Sequence, residues 1–236
     1  MIVNIIVAYC KNRGLGKNNA LLWNIKSDMA KFKKLTLGNN RNAIVMGRKT
    51  YESLNKNKGL ANRDNLILSK SLTIDELNGE NVVKSFNTLE HLENYVKTKN
   101  YTELWIIGGA EIYELFLDNY KKQENSIFNI NEIIITYIDS EFDCDCFFPN
   151  LNNYIDKYNL YFYSKNIINN NNAANAANAA NAVNAANAVN AANAANATNA
   201  ANATNAANAA NAANTANATN AAKQNYNIYE IIYKFI

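Results

Sequence analysis

Between Asn169 and Ala222 the chain is almost nothing but Asn and Ala, with a few Thr and Val and neither a charge nor an aromatic ring. The unit Asn-Ala-Ala recurs with period three. Alanine favours a helix and Asn weakly opposes one, and a three-residue period carries Asn round every face of an α-helix. No apolar stripe results, so nothing pins the tract to a core; a disordered segment and a loosely formed solitary helix both fit. Any core must come from residues 1–168 together with the closing segment 223–236. That is the length of one domain carrying one low-complexity insertion over 169–222.

Outside the tract, short β-rich runs alternate with helical patterns, which predicts an α/β fold around a mixed, mainly parallel sheet flanked by helices. The predicted strands are Ile2–Tyr9, Ala43–Met46, Asn65–Ser69, Asn81–Ser85, Leu104–Ile107 and Glu132–Asp139. The predicted helices are Ser27–Leu35, opened by Ser27, then Thr50–Leu54, Leu89–Lys97 and Ala110–Leu117. Beyond Pro149 the chain turns Tyr-rich, and Tyr158–Lys165 and Tyr226–Phe235 both read as strands. They bracket the insertion, so they predict a C-terminal antiparallel hairpin with a greatly lengthened loop.

Bulk properties remove several function classes. A net charge of +3 with dispersed Lys and Arg does not suit a nucleic-acid binder. The run Lys31-Phe32-Lys33-Lys34 reads as the solvated face of a helix. The apolar stretch Ile2–Tyr9 is far too short to span a membrane and lacks the basic flank of a signal peptide. Three cysteines, Cys10, Cys144 and Cys146, form no secreted-type framework, and reduced thiols in a cytoplasmic setting are the simple expectation. Cys144-Asp145-Cys146 with a single histidine in the chain is not a zinc-type ligand set, so no metal is expected.

Two groups of residues could carry chemistry. Asp28 falls in the first turn of a helix, where the helix dipole favours an ionised carboxylate, and Phe32 lies one turn on along the same face. Such a pair could bind a cationic or amidine-like edge beside an apolar surface, or be an ordinary first-turn acid next to a core aromatic. The second group begins at Gly47-Arg48-Lys49-Thr50, where a strand runs into a helix and exposes backbone N–H groups beside basic side chains. Ser69-Lys70 ends a later strand, and Gly108-Gly109 precedes another helix. Together these favour a phosphorylated dinucleotide, evenly balanced against the routine use of Gly in strand-to-helix turns. Gly14-Leu15-Gly16 lacks the third glycine and the helix of a Rossmann fingerprint, and no Walker-type loop or GxSxG elbow occurs. His91 sits in a polar helical pattern and is expected to be exposed and without a role.

Read in order, Ala8, Gly14 to Trp23, Asp28, Phe32, Met46 to Thr50, Arg63, Ile67 to Ser69, Ile107 to Gly109, Tyr113, Thr136 and Phe148-Pro149 resemble the dihydrofolate reductase family. The resemblance spans Met1 to Pro149 and resumes in the closing Tyr-rich strands. It implies that Asp28 holds the amidine edge of the pterin, with Thr136 bonded to its carboxylate and Trp23 placing a water and closing the site. Phe32, Leu54 and Ile107 would line the pocket, and Arg63 would pair with the substrate's glutamate α-carboxylate. Ala8, Leu15, Gly16, Asn19 and Ala20 would meet the nicotinamide end of NADPH. Gly108, Gly109, Ala110, Glu111, Ile112 and Tyr113 would follow the cofactor toward its pyrophosphate, with the Gly-Gly peptide cis. Gly47, Arg48, Lys49, Thr50, Ser69 and Lys70 would grip the pyrophosphate and the 2′-phosphate.

The implied reaction passes a hydride from the nicotinamide to carbon 6 of the pterin while nitrogen 5 takes a proton through water. The resemblance also implies antifolate inhibitors, and a monomer is expected. Leu22 and Lys26 stand where the family commonly has proline, Leu60-Ala61-Asn62-Arg63 lacks its usual Pro-Gly, and Glu111 replaces a basic residue found in some members. Two other readings compete. One is a pyrimidine reductase of flavin biosynthesis, which would not need Trp23, Asp28 and Arg63 together. The other is an inactive homologue whose Asn/Ala tract mediates self-association. No thymidylate synthase could fit after the last strand, so the chain is expected to stand alone or to be a fragment.

Overall fold

A computed structural model of the chain describes residues 1–38, 41–54, 58–120, 126–168 and 226–235. The Asn/Ala insertion, Asn169–Ala222, lies outside the described residues. The opening apolar run forms β1 (Ile2–Cys10), followed by the short β2 (Gly14–Gly16), the helix α1 (Lys26–Leu37) and β3 (Ala43–Gly47). β3 runs directly into α2 (Arg48–Ser53), and β4 (Asp64–Leu68), β5 (Asp75–Asn78), β6 (Asn81–Phe86) and α3 (Leu89–Lys97) follow. Next come β7 (Glu103–Gly108), α4 (Ala110–Asn119), β8 (Ile130–Ile138), β9 (Cys146–Phe147), α5 (Asn152–Tyr158), β10 (Leu160–Ile168) and β11 (Ile228–Phe235).

Nine strands make one sheet in the order β10-β11-β8-β1-β7-β3-β4-β6-β5. The neighbours from β8 to β6 are parallel, and the two edges, β5 on one side and β11 with β10 on the other, are antiparallel. The mixed, mainly parallel sheet closed by a C-terminal hairpin is therefore present. In that hairpin Ile168 pairs with Ile228 at the open end and Leu160 with Phe235 at the far end.

Because strand side chains alternate, parity along each central strand divides the core in two. Val3, Ile5 and Val7 of β1, Val45 of β3, Leu66 of β4, Ile106 of β7 and Ile133 and Ile135 of β8 face one side. There they pack against Leu92 and Val96 of α3, Phe116 and Leu117 of α4, and Tyr154 and Tyr158 of α5. Ile6, Ile44, Met46, Ile67, Trp105 and Ile134 face the other, under Phe32 and Leu35 of α1 and Tyr51 of α2. Strands buried on both faces need unbroken apolar runs, which is why β1, β3 and β4 were legible.

Three expectations are corrected. Helix α1 starts at Lys26 behind Ile25, which makes no side-chain cap, so Ser27 is inside the helix rather than its opener. Tyr158 does not start a strand; it ends α5, and Asn159 in the left-handed region (φ 51°) turns the chain into β10. Tyr154 and Tyr158, four apart, bury on the same core, and that helical spacing outweighs the strand preference of Tyr. Finally, Lys33 and Lys34 are exposed as expected, but Lys31 is half-buried and paired with Glu230. The polar edge strand β5 was not expected, since its Leu77 is exposed and no apolar alternation marks it. Among the described residues no helix is long and apolar enough to cross a membrane.

Candidate active site

Helix α1 lies over the sheet face that carries the even-numbered residues of β8. From that face Thr136 donates a hydrogen bond to Asp28 Oδ1 at 2.5 Å. Burial pushes the Asp28 carboxyl above its ordinary value, while the Thr136 hydrogen bond and the Lys31 ammonium pull it back. Ala8, the register partner of Thr136 on β1, is half-buried beside it. Phe32, Leu54 and Ile107 are partly buried side chains of the same apolar cluster, packed around Ile6, Met46 and Tyr51. An ionisable group thus sits beside a cluster of partly buried apolar side chains.

The far end of the candidate site follows from helical arithmetic. Asp28, Phe32 and Thr36 recur every four residues, so they share one stripe of α1. Thr36 is fully buried; its hydroxyl donates to the Phe32 carbonyl at 2.8 Å and accepts from the Arg63 guanidinium. Arg63 Nε also donates to the Ala61 carbonyl at 3.1 Å, which fixes the plane of the group. Eight residues of helix rise about 12 Å, so Asp28 and Arg63 mark the two ends of an elongated site. Arg63 is 5% exposed, and among the described residues no carboxylate pairs with it. A buried guanidinium in that condition is ready for an external anion.

At the carboxyl ends of the neighbouring strands β3 and β7 two helices begin without side-chain caps, α2 behind Gly47 and α4 behind Gly109. A Cβ on Gly47 would lie 3.1 Å from Ile112 Cγ1, and one on Gly109 would lie 3.5 Å from Thr50 Oγ1, so the two first turns stand side by side. The Gly108-Gly109 peptide is cis. Gly108 has φ +97°, and a Cβ there would meet the Tyr113 ring at 2.5 Å. Tyr113 is itself held by donating to the Ile6 carbonyl at 2.9 Å. Arg48 is half-exposed and pairs with Glu52 at 2.8 and 3.0 Å. Lys49 and Lys70 are exposed, and Ser69 Oγ accepts from the N–H groups of Ser71 and Leu72. Ala110 opens α4, and Glu111, in its first turn, is exposed.

The segment from Asn12 to Trp23 carries the remaining candidate residues. Lys17 and Ala20 exchange backbone hydrogen bonds, both at 3.0 Å, around Asn18 and Asn19, which both have positive φ. That is the geometry of a two-residue hairpin turn, and Asn tolerates it. Gly16 cannot carry a side chain, since its Cβ would fall 2.3 Å from the Ala20 carbonyl oxygen. The turn is tied to residues 143–147: Asn18 N–H donates to Asp145 at 2.9 Å, Lys17 pairs with Asp143, and Gly14 pairs in register with Phe147. Leu15, between the two glycines, packs against the core on the α4 side. The Cys10 and Cys144 sulfurs lie 3.8 Å apart beneath this segment, and burial together with Cys10 pushes the Cys144 thiol up to about 11. Trp23 is buried against Phe142, and its Nε1 has no acceptor among the described residues.

Sequence reasoning did not find Thr36, Lys31 or Glu230. Thr36 and Lys31 carried a faint signal in their helical spacing from Asp28; Glu230 carried none.

The sequence matches the family described as Dihydrofolate reductase over residues 2–182. It is 33% identical over 155 residues to the dihydrofolate reductase of Heliothis virescens, covering 63% of this chain and 80% of that one. It is 37% identical over 154 residues to that of Schistosoma mansoni, covering 63% and 78%. Against the bifunctional dihydrofolate reductase-thymidylate synthase 2 of Arabidopsis thaliana it is 36% identical over 153 residues, 61% of this chain but 26% of that protein. The chain belongs to the dihydrofolate reductase family.

Proposed function

We propose that the chain reduces 7,8-dihydrofolate to 5,6,7,8-tetrahydrofolate with NADPH. The observation that carries this reading is the stripe on α1, with a half-buried carboxylate bonded to Thr136 at one end and, at the other, a buried guanidinium that no carboxylate among the described residues pairs with. Dihydrofolate has the matching chemistry, an amidine-bearing pterin at one end and a glutamate carboxylate at the other. Asp28 accepts from the amidine, Phe32, Leu54 and Ile107 cover the apolar middle, and Arg63 takes the α-carboxylate in a bidentate pair.

The residues present fit a phosphorylated dinucleotide. Gly47 and Gly109 leave no Cβ between two uncapped helix starts, and Thr50, Ser69, Arg48, Lys49 and Lys70 offer hydroxyls and positive charge around them. Ala8, Leu15, Gly16, Asn19, Ala20, Gly108 and Tyr113 would hold the nicotinamide end, with Ala110, Glu111 and Ile112 beyond it. NADPH supplies the hydride that reaches carbon 6 of the pterin. Nitrogen 5 takes its proton from solvent, and Asp28 favours that step by its charge while fixing the ring that receives it. Trp23 offers its buried N–H to a ligand or a water at the mouth of the site. Antifolates, which carry the same amidine edge, would compete for Asp28.

The test is NADPH oxidation by the full chain with dihydrofolate, repeated with NADH and with the pyrimidinone substrate of flavin biosynthesis. Dihydrofolate-dependent oxidation with a clear NADPH preference is expected. Turnover of the pyrimidinone alone, or of neither substrate, would overturn the reading.

A further inference from the structure

Lys31 lies one helical turn after Asp28, and its ammonium does not reach bulk solvent freely; it pairs with Glu230 of β11. Glu230 is the register partner of Thr136, the residue bonded to Asp28, so both side chains rise from adjacent strands on the face beneath α1. The charged groups facing Lys31 are Asp28 on α1, Glu132 on β8 and Glu230 on β11. Lys234 on β11 pairs in register with Glu132, and Lys33 and Lys34 of α1 point to solvent. One half-buried ammonium therefore stands among three carboxylates, one of them the candidate pterin-binding acid.

We propose that the Lys31 ammonium is shared between Asp28 and Glu230 across the α1–β8–β11 seam, offsetting the charge of Asp28 while Glu230 competes with Asp28 for it. Removing the ammonium leaves the Thr136 hydrogen bond alone to set against like charges and burial, both of which favour the protonated form of Asp28. Removing Glu230 withdraws a competing anion and leaves the ammonium's field directed at Asp28. The two changes act on Asp28 in opposite directions, although both break the same ion pair. Mere loosening of the α1–β11 contact would move it the same way in both.

The experiment is a titration of the Asp28 side-chain carboxyl by its carbon-13 chemical shift in the full chain without ligand. Lys31→Met is expected to move the midpoint to higher pH and Glu230→Gln to lower pH, while Lys31→Arg, which keeps the charge, stays near the unaltered protein. An unchanged midpoint in Lys31→Met, or shifts of the same sign in Lys31→Met and Glu230→Gln, would overturn the proposal. If Lys31→Met does not fold, Glu230→Gln decides, a downward shift supporting the pair and any other result opposing it. The catalytic meaning of the pair rests on Asp28 being the acid that holds the pterin. Dihydrofolate reduction by Asp28→Asn tests that separately, since full neutral-pH activity there would remove the functional reading while the titration would still report on the pair.

Discussion

At the scale of single residues burial works against the ionised form of Asp28, while the Thr136 hydrogen bond and the Lys31 ammonium favour it. Its carboxyl titrates higher folded than unfolded, so stability present at low pH is lost as pH rises through the folded value. Asp28→Asn keeps an oxygen for the Thr136 hydroxyl and carries no such cost. The variant is therefore expected to melt higher than the unaltered protein at neutral pH, with the difference vanishing toward acidic pH, while losing most dihydrofolate turnover at pH 7. Parallel thermal melts and initial rates across pH check both halves. An equal melting difference at every pH would show that the carboxylate is not held against burial. Arg63 gives a different signature. The proposed contact with the substrate carboxylate would be made equally before and during reaction, so Arg63→Leu should raise the Michaelis constant for dihydrofolate far more than it lowers turnover. A lost charge-assisted pair of roughly 1.5–3 kcal/mol corresponds to about 10- to 100-fold.

At the scale of elements the site depends on helix starts aligned at neighbouring strand ends. Gly108 joins β7 to α4 in a backbone conformation closed to other residues, and its missing Cβ is where the Tyr113 ring sits. Gly108→Ala should cost at least the roughly 1–3 kcal/mol of a side chain forced into positive φ, with the ring displacement added. Thermal denaturation would show it; a melting point within error of the unaltered protein would mean that α4 can swing away. Among the described residues Arg48 is held by Glu52 on the surface of α2, and such helix pairs contribute about 0.3–0.5 kcal/mol. That is easily exchanged for a phosphate. Arg48→Ala with Lys49→Ala should therefore erase most of the preference for NADPH over NADH with little change in stability. An unaltered preference in competition kinetics would place the 2′-phosphate elsewhere.

At the scale of the whole molecule the two strands flanking the insertion are integral to the sheet. β11 pairs with β8, the strand that carries Thr136, and β10 pairs with β11. The chain leaves the sheet after Ile168 and returns at Ile228, which are register partners, so the exit and re-entry points adjoin. Closure entropy grows by only about 0.6 kcal/mol per doubling of loop length, so a long insertion there is thermodynamically mild. Replacing Asn169–Ala222 by an Asn-Gly turn should leave turnover and both Michaelis constants within about twofold and raise stability slightly through that same closure term. Steady-state kinetics and melting of the shortened chain check this. Failure to fold, or loss of activity while folded, would give the tract a structural part in the domain.

The order of strands and helices was legible in the sequence because hydrophobic periodicity is local. Ile2–Tyr9 reads as a strand buried on both faces, and Gly47 and Gly108-Gly109 read as strand-to-helix turns, from a few adjacent residues. Asp28 and Phe32 declared their common face through spacing alone. Elements without an apolar rhythm stayed hidden: the polar edge strand β5, and α5, whose tyrosines resemble strand residues one at a time. What only tertiary structure decided is pairing between distant segments. The β8–β11 register sets Glu230 opposite Thr136, and burial against the sheet turns Lys31 from a surface charge into a partner of three carboxylates. The meeting of Arg63 with Thr36 likewise depends on how α1 lies across β3 and β4. Register and packing angle are set by the summed fit of many side chains across strands, and no local pattern encodes which distant residue will stand opposite.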